Sequence, residues 1–156
     1  MPETYGLTVP FKSGVDYIIT SKFGTRTDPV YGGSAFHSGI DLSAPSGTEI
    51  VASANGVVKE TGYNANELGN YVYIEHVING VTYYTAYGHM LDDSIVVKEG
   101  EPVTSKQKIG IIGSTGKSTG IHLHFSVMTP NLSFDKENLK DPLSIVKKDL
   151  DSKAKK

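Results

Sequence analysis

The most informative stretch of the chain reads Ile121-His122-Leu123-His124-Phe125-Ser126-Val127, an apolar run with two histidines placed two residues apart. On a β-strand, residues i and i+2 point to the same face roughly 6.6 Å apart, so both imidazoles face one small volume. Burying two groups that titrate near neutrality is costly unless they are hydrogen-bonded, paired or bound to a metal. Taken alone, the pattern fits a hydrogen-bonded structural pair better than a functional site.

The rest of the chain has the composition of short strands separated by turns. It contains 17 Gly and 9 Tyr among 156 residues, and clusters of Gly, Pro, Asn and Asp separate strand-like stretches, whereas helix signals are scarce. The clearest local signal is Asn79-Gly80, a preferred two-residue hairpin turn that pairs Ile78 with Val81 and His76 with Tyr83. Predicted strands cover residues 17–19, 49–52, 56–60, 71–77, 81–87, 95–97, 108–112 and 122–127.

The length predicts one domain that can bury its own core. We expect a lead-in over residues 1–15, the domain proper over 16–143, and a Lys-rich tail over 144–156 that frays from a short amphipathic segment. Three loops rich in small and polar residues, 27–36, 62–70 and 114–120, are candidates for a binding surface on the β scaffold.

Composition excludes several functional classes. A hydrophobic fraction of 38% and a net charge of −2 give no electrostatic attraction to nucleic acid or an anionic membrane. No apolar run is long enough for a membrane span, and the first residues lack the layout of a signal peptide. Because cysteine is absent, disulfides and Cys-ligated zinc are excluded, and a transition metal would depend on His, Asp and Glu.

Two further segments carry groups suited to zinc. His37 and Asp41 flank Ser38-Gly39-Ile40, and His89 follows Tyr87-Gly88. On an extended strand, His37 and Asp41 would lie about 13 Å apart, near the limit for sharing one ion bound at roughly 2 Å by each ligand. The segment must therefore bend, and Gly39 permits that bend. Both His122 and His124 remain possible ligands on spacing alone.

In this order, these motifs resemble the lysostaphin-type zinc endopeptidases of bacterial cell walls, also called the LytM or M23 peptidase family. The resemblance runs from about residue 18 to residue 127. Its most specific parts are Ser21-Lys22-Phe23-Gly24-Thr25-Arg26, His37-Ser38-Gly39-Ile40-Asp41-Leu42, Gly69-Asn70-Tyr71-Val72, Tyr87-Gly88-His89 and Ser118-Thr119-Gly120-Ile121-His122-Leu123-His124-Phe125. Family members usually have Pro where Ile121 stands, a change that preserves the strand.

The resemblance implies an all-β fold with a largely antiparallel central sheet, a smaller second sheet, and a loop-walled groove with zinc on its floor. It implies that His37, Asp41 and His124 bind zinc and that His89 and His122 are the catalytic histidines beside it. Two His, one Asp and a water give the open position that a catalytic zinc requires. The implied substrate is peptide in peptidoglycan, cut by a monomer that acts outside the cytoplasm, in the cell wall or in association with a phage. We expect the chain to be one domain of a larger exported or phage-borne protein.

Other polar residues have simpler explanations. His76 belongs to the hairpin and is expected to be a cross-strand partner of Tyr83. For Asn70 and Tyr87, a role in supporting the site and a role in plain packing are equally expected. Arg26 is expected to donate hydrogen bonds that hold a loop in place. The carboxylates outside the motifs are expected to be solvated, namely Asp28, Glu60 and Glu75.

Two other functions compete with the endopeptidase. The first is a catalytically silent relative that activates a separate wall amidase, although such adaptors usually lack several of the five site positions. The second starts from residues 97–103, which resemble the turn of the barrel-sandwich domains in lipoyl carriers and sugar phosphotransferase proteins. A phosphocarrier would use paired histidines without zinc, and the His37-to-Asp41 motif argues against it. The scissile bond stays open, since specificity depends on loop shape.

Overall fold

The computed structural model describes residues 6–27, 34–116, 118 and 120–146, and its regular structure is almost entirely β. The strands are β1 (Ile18–Ser21), β2 (Gly24–Thr27), β3 (Ser34–His37), β4 (Ile40–Ser43), β5 (Glu49–Val51), β6 (Gly56–Asn64), β7 (Gly69–Ile78), β8 (Val81–Met90), β9 (Pro102–Val103), β10 (Lys108–Ile111), β11 (Leu123–Met128) and β12 (Leu139–Lys140). One turn of helix, α1, covers Pro142–Ile145. In these described residues, no helix has the length and apolar character needed to cross a bilayer.

A large antiparallel sheet dominates the fold, as predicted. Seven strands follow the order β1-β4-β11-β8-β7-β6-β9, and β12 pairs with the far end of β11 as the eighth. Two small sheets accompany it, β5 with β10 and β2 with β3. The predicted hairpin is confirmed, with His76 opposite Tyr83 and Ile78 opposite Val81. Asn79 and Gly80 have φ of 53° and 79°, as a type I′ turn requires.

The two faces of the large sheet pack against different apolar clusters, because side chains alternate between the faces along each strand. On β11, Leu123, Phe125 and Val127 are fully buried in the main core, and on β4 Ile40 and Leu42 join them. Each such side chain contributes roughly 1.5–3 kcal/mol of burial free energy. The intervening residues of β4 and β11 therefore point to the opposite face, where a second, smaller apolar cluster lies around Ala86, Met128 and Leu139.

Some predicted elements were wrong or incomplete. Residues 95–97 form no strand, since a single backbone hydrogen bond, from Val96 N to Ile109 O, joins them to β10. The predicted loop 62–70 is mostly strand, because β6 and β7 extend to within four residues of each other. β2, β3, β4, β9 and β12 were not predicted. Part of the predicted loop 27–36, namely residues 28–33, lies outside the described residues.

Both ends of the described chain pack on the main core. Leu7, Val9 and Phe11 are buried there, and so is Val146 beyond the short helix. The domain boundaries at residues 15 and 143 stay predictions, and residues 147–156 of the expected tail lie outside the described residues.

Candidate active site

Strand register brings Asp41 and His124 together. The two residues are direct partners across β4 and β11, and His124 also faces Gly88 on β8. Because their neighbours in sequence point into the main core, both side chains project to the opposite face of the sheet. His89 is the last residue but one of β8, in the same region, and His122 joins through a bridge to Gly113. All five predicted site residues line one groove.

The bend predicted between His37 and Asp41 is present at Ser38 and Gly39. β3 ends at His37 and β4 starts at Ile40, so the chain turns between them and brings His37 Nε2 to 3.3 Å from Asp41 Oδ1. A Cβ on Gly39 would lie 2.2 Å from the backbone oxygen of Phe125 and 2.6 Å from Ser126 Oγ. Only glycine allows this segment to lie so close to β11.

Hydrogen bonds select which histidine nitrogens face Asp41. His37 Nδ1 lies 3.0 Å from the carbonyl oxygen of Lys22, so it donates its proton there, and Nε2 carries the lone pair that faces Asp41 Oδ1. His124 Nε2 lies 2.7 Å from the buried Ser126 Oγ, which leaves Nδ1 directed at Asp41 Oδ1, 3.3 Å away. Ligand tautomers in metal sites are fixed by such outer contacts.

The spacing of these three donor atoms fits a tetrahedral metal ion. His37, Asp41 and His124 each offer one atom within 4.8 Å of the others. Ligands bound tetrahedrally at 2.0–2.1 Å lie about 3.3 Å from one another, and both histidine nitrogens are 3.3 Å from Asp41 Oδ1. This oxygen is buried and accepts no hydrogen bond from the described chain. A buried carboxylate oxygen in that state needs a cation.

The electrostatics favour a charged Asp41 carboxylate and a neutral His124 imidazole. Burial alone raises the pKa of Asp41, but the imidazoles of His124 and His37 outweigh burial and lower the pKa overall. Burial lowers the pKa of His124 below its ordinary value, although Asp41 opposes the shift. Metal ligation requires these protonation states, a deprotonated carboxylate and unprotonated ring nitrogens.

His89 and His122 form a second pair beside the donor set. Their ring centroids are 4.7 Å apart, and His122 Nε2 is 3.7 Å from Asp41 Oδ1, farther than the nitrogens of His37 and His124. The Nδ1 atoms are occupied, since His89 contacts the carbonyl oxygen of Thr115 at 2.7 Å and His122 that of Gly120 at 3.1 Å. Burial is the main cause of a lowered pKa of His89.

The groove above these residues has a volume of about 720 Å³ and is large enough for several residues of a peptide. Its walls also include residues for which no site role was predicted, namely Phe36, Ser38, Asn66, Glu67, Leu68, Ser118 and Phe134. Three of them fall in the 62–70 segment, one in the 114–120 segment and one, Phe36, in the 27–36 segment, the loops that were predicted to carry a binding surface. Nothing in the sequence signalled Phe134, which comes from the irregular segment between β11 and β12.

The remaining polar candidates lie outside the donor set. His76 is fully buried and contacts Asn55 O and Thr85 Oγ1, each at 2.9 Å. Tyr87 is also fully buried, and its hydroxyl accepts a hydrogen bond from Ser53 N, so its role is packing. Asn70 Nδ2 donates to the carbonyl oxygen of Met90 at 2.9 Å. Glu60 and Glu75 accept hydrogen bonds from tyrosines, while Asp28 and the side chain of Arg26 lie outside the described residues.

An antiparallel sheet that carries a three-atom donor set with an open side, in a groove of peptide width, is the architecture of a metallopeptidase. The family model described as Peptidase family M23 matches residues 35–139, and the chain belongs to that family. The resemblance found in the sequence is thereby confirmed.

Known proteins agree with this membership. The chain is 43% identical over 111 residues to the peptidoglycan DD-endopeptidase ShyC and 38% identical over 135 residues to ShyA, both from Vibrio cholerae serotype O1. These matches cover 70% and 85% of this chain but only 24% and 30% of the relatives, so the chain spans roughly a quarter to a third of their length.

Solved structures show the same fold. The catalytic domain of the antimicrobial peptidase lysostaphin from Staphylococcus simulans superposes with a TM-score of 0.70 at 32% identity, covering 84% of this chain and 92% of that domain. A zinc-containing peptidase from Vibrio cholerae gives a TM-score of 0.71 at 35% identity, covering 87% of this chain and 39% of its own.

Proposed function

We propose that the chain is a zinc metallo-endopeptidase that hydrolyses peptide bonds in bacterial peptidoglycan. His37 Nε2, Asp41 Oδ1 and His124 Nδ1 are the zinc ligands, and His89 and His122 are the catalytic histidines. The observation that carries this proposal is that both histidine nitrogens lie 3.3 Å from Asp41 Oδ1, the separation of ligands around one tetrahedral ion, on the floor of an open groove. Asp41 Oδ1, buried without a hydrogen bond from the described chain, supports a cation at this position.

Zinc, when bound, polarises a carbonyl and lowers the pKa of a coordinated water toward 7. The two remaining histidines handle protons beside it. His89 donates Nδ1–H to Thr115 O, so its Nε2 is free to accept a proton from the attacking water. Its lowered pKa keeps the ring unprotonated near neutrality, as a general base requires. His122 Nε2 faces the same space and is placed to hydrogen-bond the carbonyl oxygen, and the proton that His89 accepts passes to the amine that leaves as the peptide bond breaks.

The substrate class rests on the relatives. ShyA and ShyC are named as peptidoglycan DD-endopeptidases, and the lysostaphin domain as an antimicrobial peptidase. We therefore assign peptidoglycan peptide to this chain, and with it a site of action outside the cytoplasm, at the cell wall. We propose that the chain acts as a monomer.

The decisive experiment compares zinc content and hydrolysis of purified peptidoglycan in the wild type and in His124→Ala. We expect about one zinc per wild-type chain, release of peptide fragments, and loss of both in the variant. Mass spectrometry of the fragments identifies the scissile bond. A wild-type chain that releases no fragments but stimulates a wall amidase would be the adaptor instead, although all five site residues lie together here.

A further inference from the structure

We infer that Thr115 is a positioning residue for His89. Its carbonyl selects the proton position on the imidazole, and its hydroxyl holds that carbonyl in place. The catalytic consequence rests on the proposed function, whereas the effect on the imidazole does not. No role was predicted for Thr115 from the sequence; it lies in the predicted loop 114–120 and outside the donor set.

Thr115 contacts His89 and the two strand ends beside it. Its backbone oxygen lies 2.7 Å from His89 Nδ1. Its hydroxyl donates to the carbonyl oxygen of Met90, 2.6 Å away, and accepts from the backbone N–H of Asn70 at 3.1 Å. Asn70 Nδ2 donates to the same Met90 oxygen at 2.9 Å and to Asp92 Oδ1 at 2.8 Å. The loop is thus tied to the start of β7 and to the end of β8.

Backbone geometry indicates that this contact is built in. A Cβ on Gly69 would lie 2.3 Å from the carbonyl carbon of Thr115, and one on Gly116 would lie 2.2 Å from Gly69 N. The two segments approach so closely only because both positions are glycine with positive φ. His89 itself has φ of 62°, an uncommon conformation for a residue with a side chain, and its N–H donates to Leu68 O.

The chemical consequence concerns the tautomer of His89. A neutral imidazole carries its proton on Nδ1 or on Nε2, and the acceptor that faces one nitrogen selects the form. The Thr115 carbonyl selects Nδ1–H, which directs the Nε2 lone pair into the groove. Without the hydroxyl, two hydrogen bonds that hold the loop are lost and the carbonyl is free to move away. The Nε2–H form then becomes populated, and its Nε2 cannot accept a proton from the groove.

The test uses Thr115→Val, which keeps the side-chain shape and removes the hydroxyl, and Thr115→Ser, which restores it. Thr129→Val is the matched control, because Thr129 Oγ1 also donates to a backbone carbonyl at 2.6 Å, that of Thr82. For each zinc-loaded protein, nitrogen NMR of the imidazoles reports the His89 tautomer, and kcat, KM, zinc content and Tm are measured. Thr115→Ala replaces Thr115→Val if the valine variant does not fold.

We expect Thr115→Val to shift the His89 nitrogen signals toward the Nε2–H form and to lower kcat about 10-fold to 100-fold at nearly unchanged KM and zinc content. Thr115→Ser should restore both the signals and kcat, and Thr129→Val should lose stability alone. Unchanged signals in Thr115→Val and Thr115→Ala would overturn the inference. If the signals shift but the wild type cleaves no peptidoglycan, the proposed function fails and the positioning role stands.

Discussion

Replacing Gly39 by Ala tests whether the close packing of the His37-to-Asp41 bend sets the metal site. The new Cβ would lie 2.2 Å from Phe125 O, and the backbones must separate by about 0.8 Å to reach the 3.0 Å below which Cβ contacts are essentially absent. Because Phe125 O belongs to a central strand, the bend rather than the sheet is expected to move. Metal–ligand distances tolerate only about 0.2 Å, so the displacement removes His37 or Asp41 from the tetrahedral arrangement.

We expect zinc affinity to fall at least about 100-fold, which corresponds to about 2.7 kcal/mol. The free energy of unfolding of the metal-free protein should fall by about 1–3 kcal/mol, the usual cost of overpacking. Competition with a chromogenic chelator measures the affinity, and urea titration measures the stability.

Gly56→Ala is the matched control for this experiment. Its Cβ would lie 2.3 Å from the backbone oxygen of Glu75, outside the groove lining, so stability falls without a change in zinc affinity. If Gly39→Ala binds zinc as tightly as the wild type, the proposed origin of the site geometry is refuted.

Three further predictions concern the groups around the site and in the core. Ser126→Ala removes the nearer of the two hydroxyl partners of His124 Nε2 and should weaken zinc binding about 10-fold to 100-fold in the chelator assay; an unchanged affinity would contradict a role for Ser126 in orienting the His124 ring. Since burial lowers the pKa of His89, the acid limb of kcat/KM should lie below 6.5, and a limb above that value would exclude His89 as the base. Burial also lowers the pKa of His76, so below about pH 6.5 the unfolded chain binds more protons than the folded chain. The free energy of unfolding should therefore fall as the pH drops through that range, and urea titrations at about pH 7.5 and about pH 5.5 check the sign.

The strands with strong local signals could be predicted from the sequence. Asn79-Gly80 specified its hairpin because a type I′ turn needs two residues that tolerate positive φ, and its register followed by counting. The alternation of apolar and polar residues in 122–127 gave the central strand. By contrast, β4 went unpredicted because its four residues carry Asp41, and its strand character comes from pairing with β1 and β11.

The order of the motifs predicted the four histidines and the aspartate of the candidate site, but it did not predict the hydrogen-bond acceptors that orient their side chains. The acceptors that orient the imidazoles are backbone oxygens of Lys22, Thr115 and Gly120 and the hydroxyl of Ser126. Backbone acceptors leave no trace in residue type, so only the three-dimensional fold reveals them. Phe134 in the groove wall was missed for a similar reason, since its place depends on an irregular connection.

His122 and His124 have different proposed roles, catalysis and zinc binding, and zinc content measured together with peptidoglycan hydrolysis distinguishes them. In His124→Ala, both zinc and hydrolysis should be lost, because His124 Nδ1 is one of the three proposed donor atoms and lies 3.3 Å from Asp41 Oδ1. In His122→Ala, zinc should remain at about one per chain while hydrolysis is lost, since His122 Nε2 lies farther away, at 3.7 Å. A His122→Ala protein that no longer holds zinc, or that still hydrolyses peptidoglycan, would contradict the account.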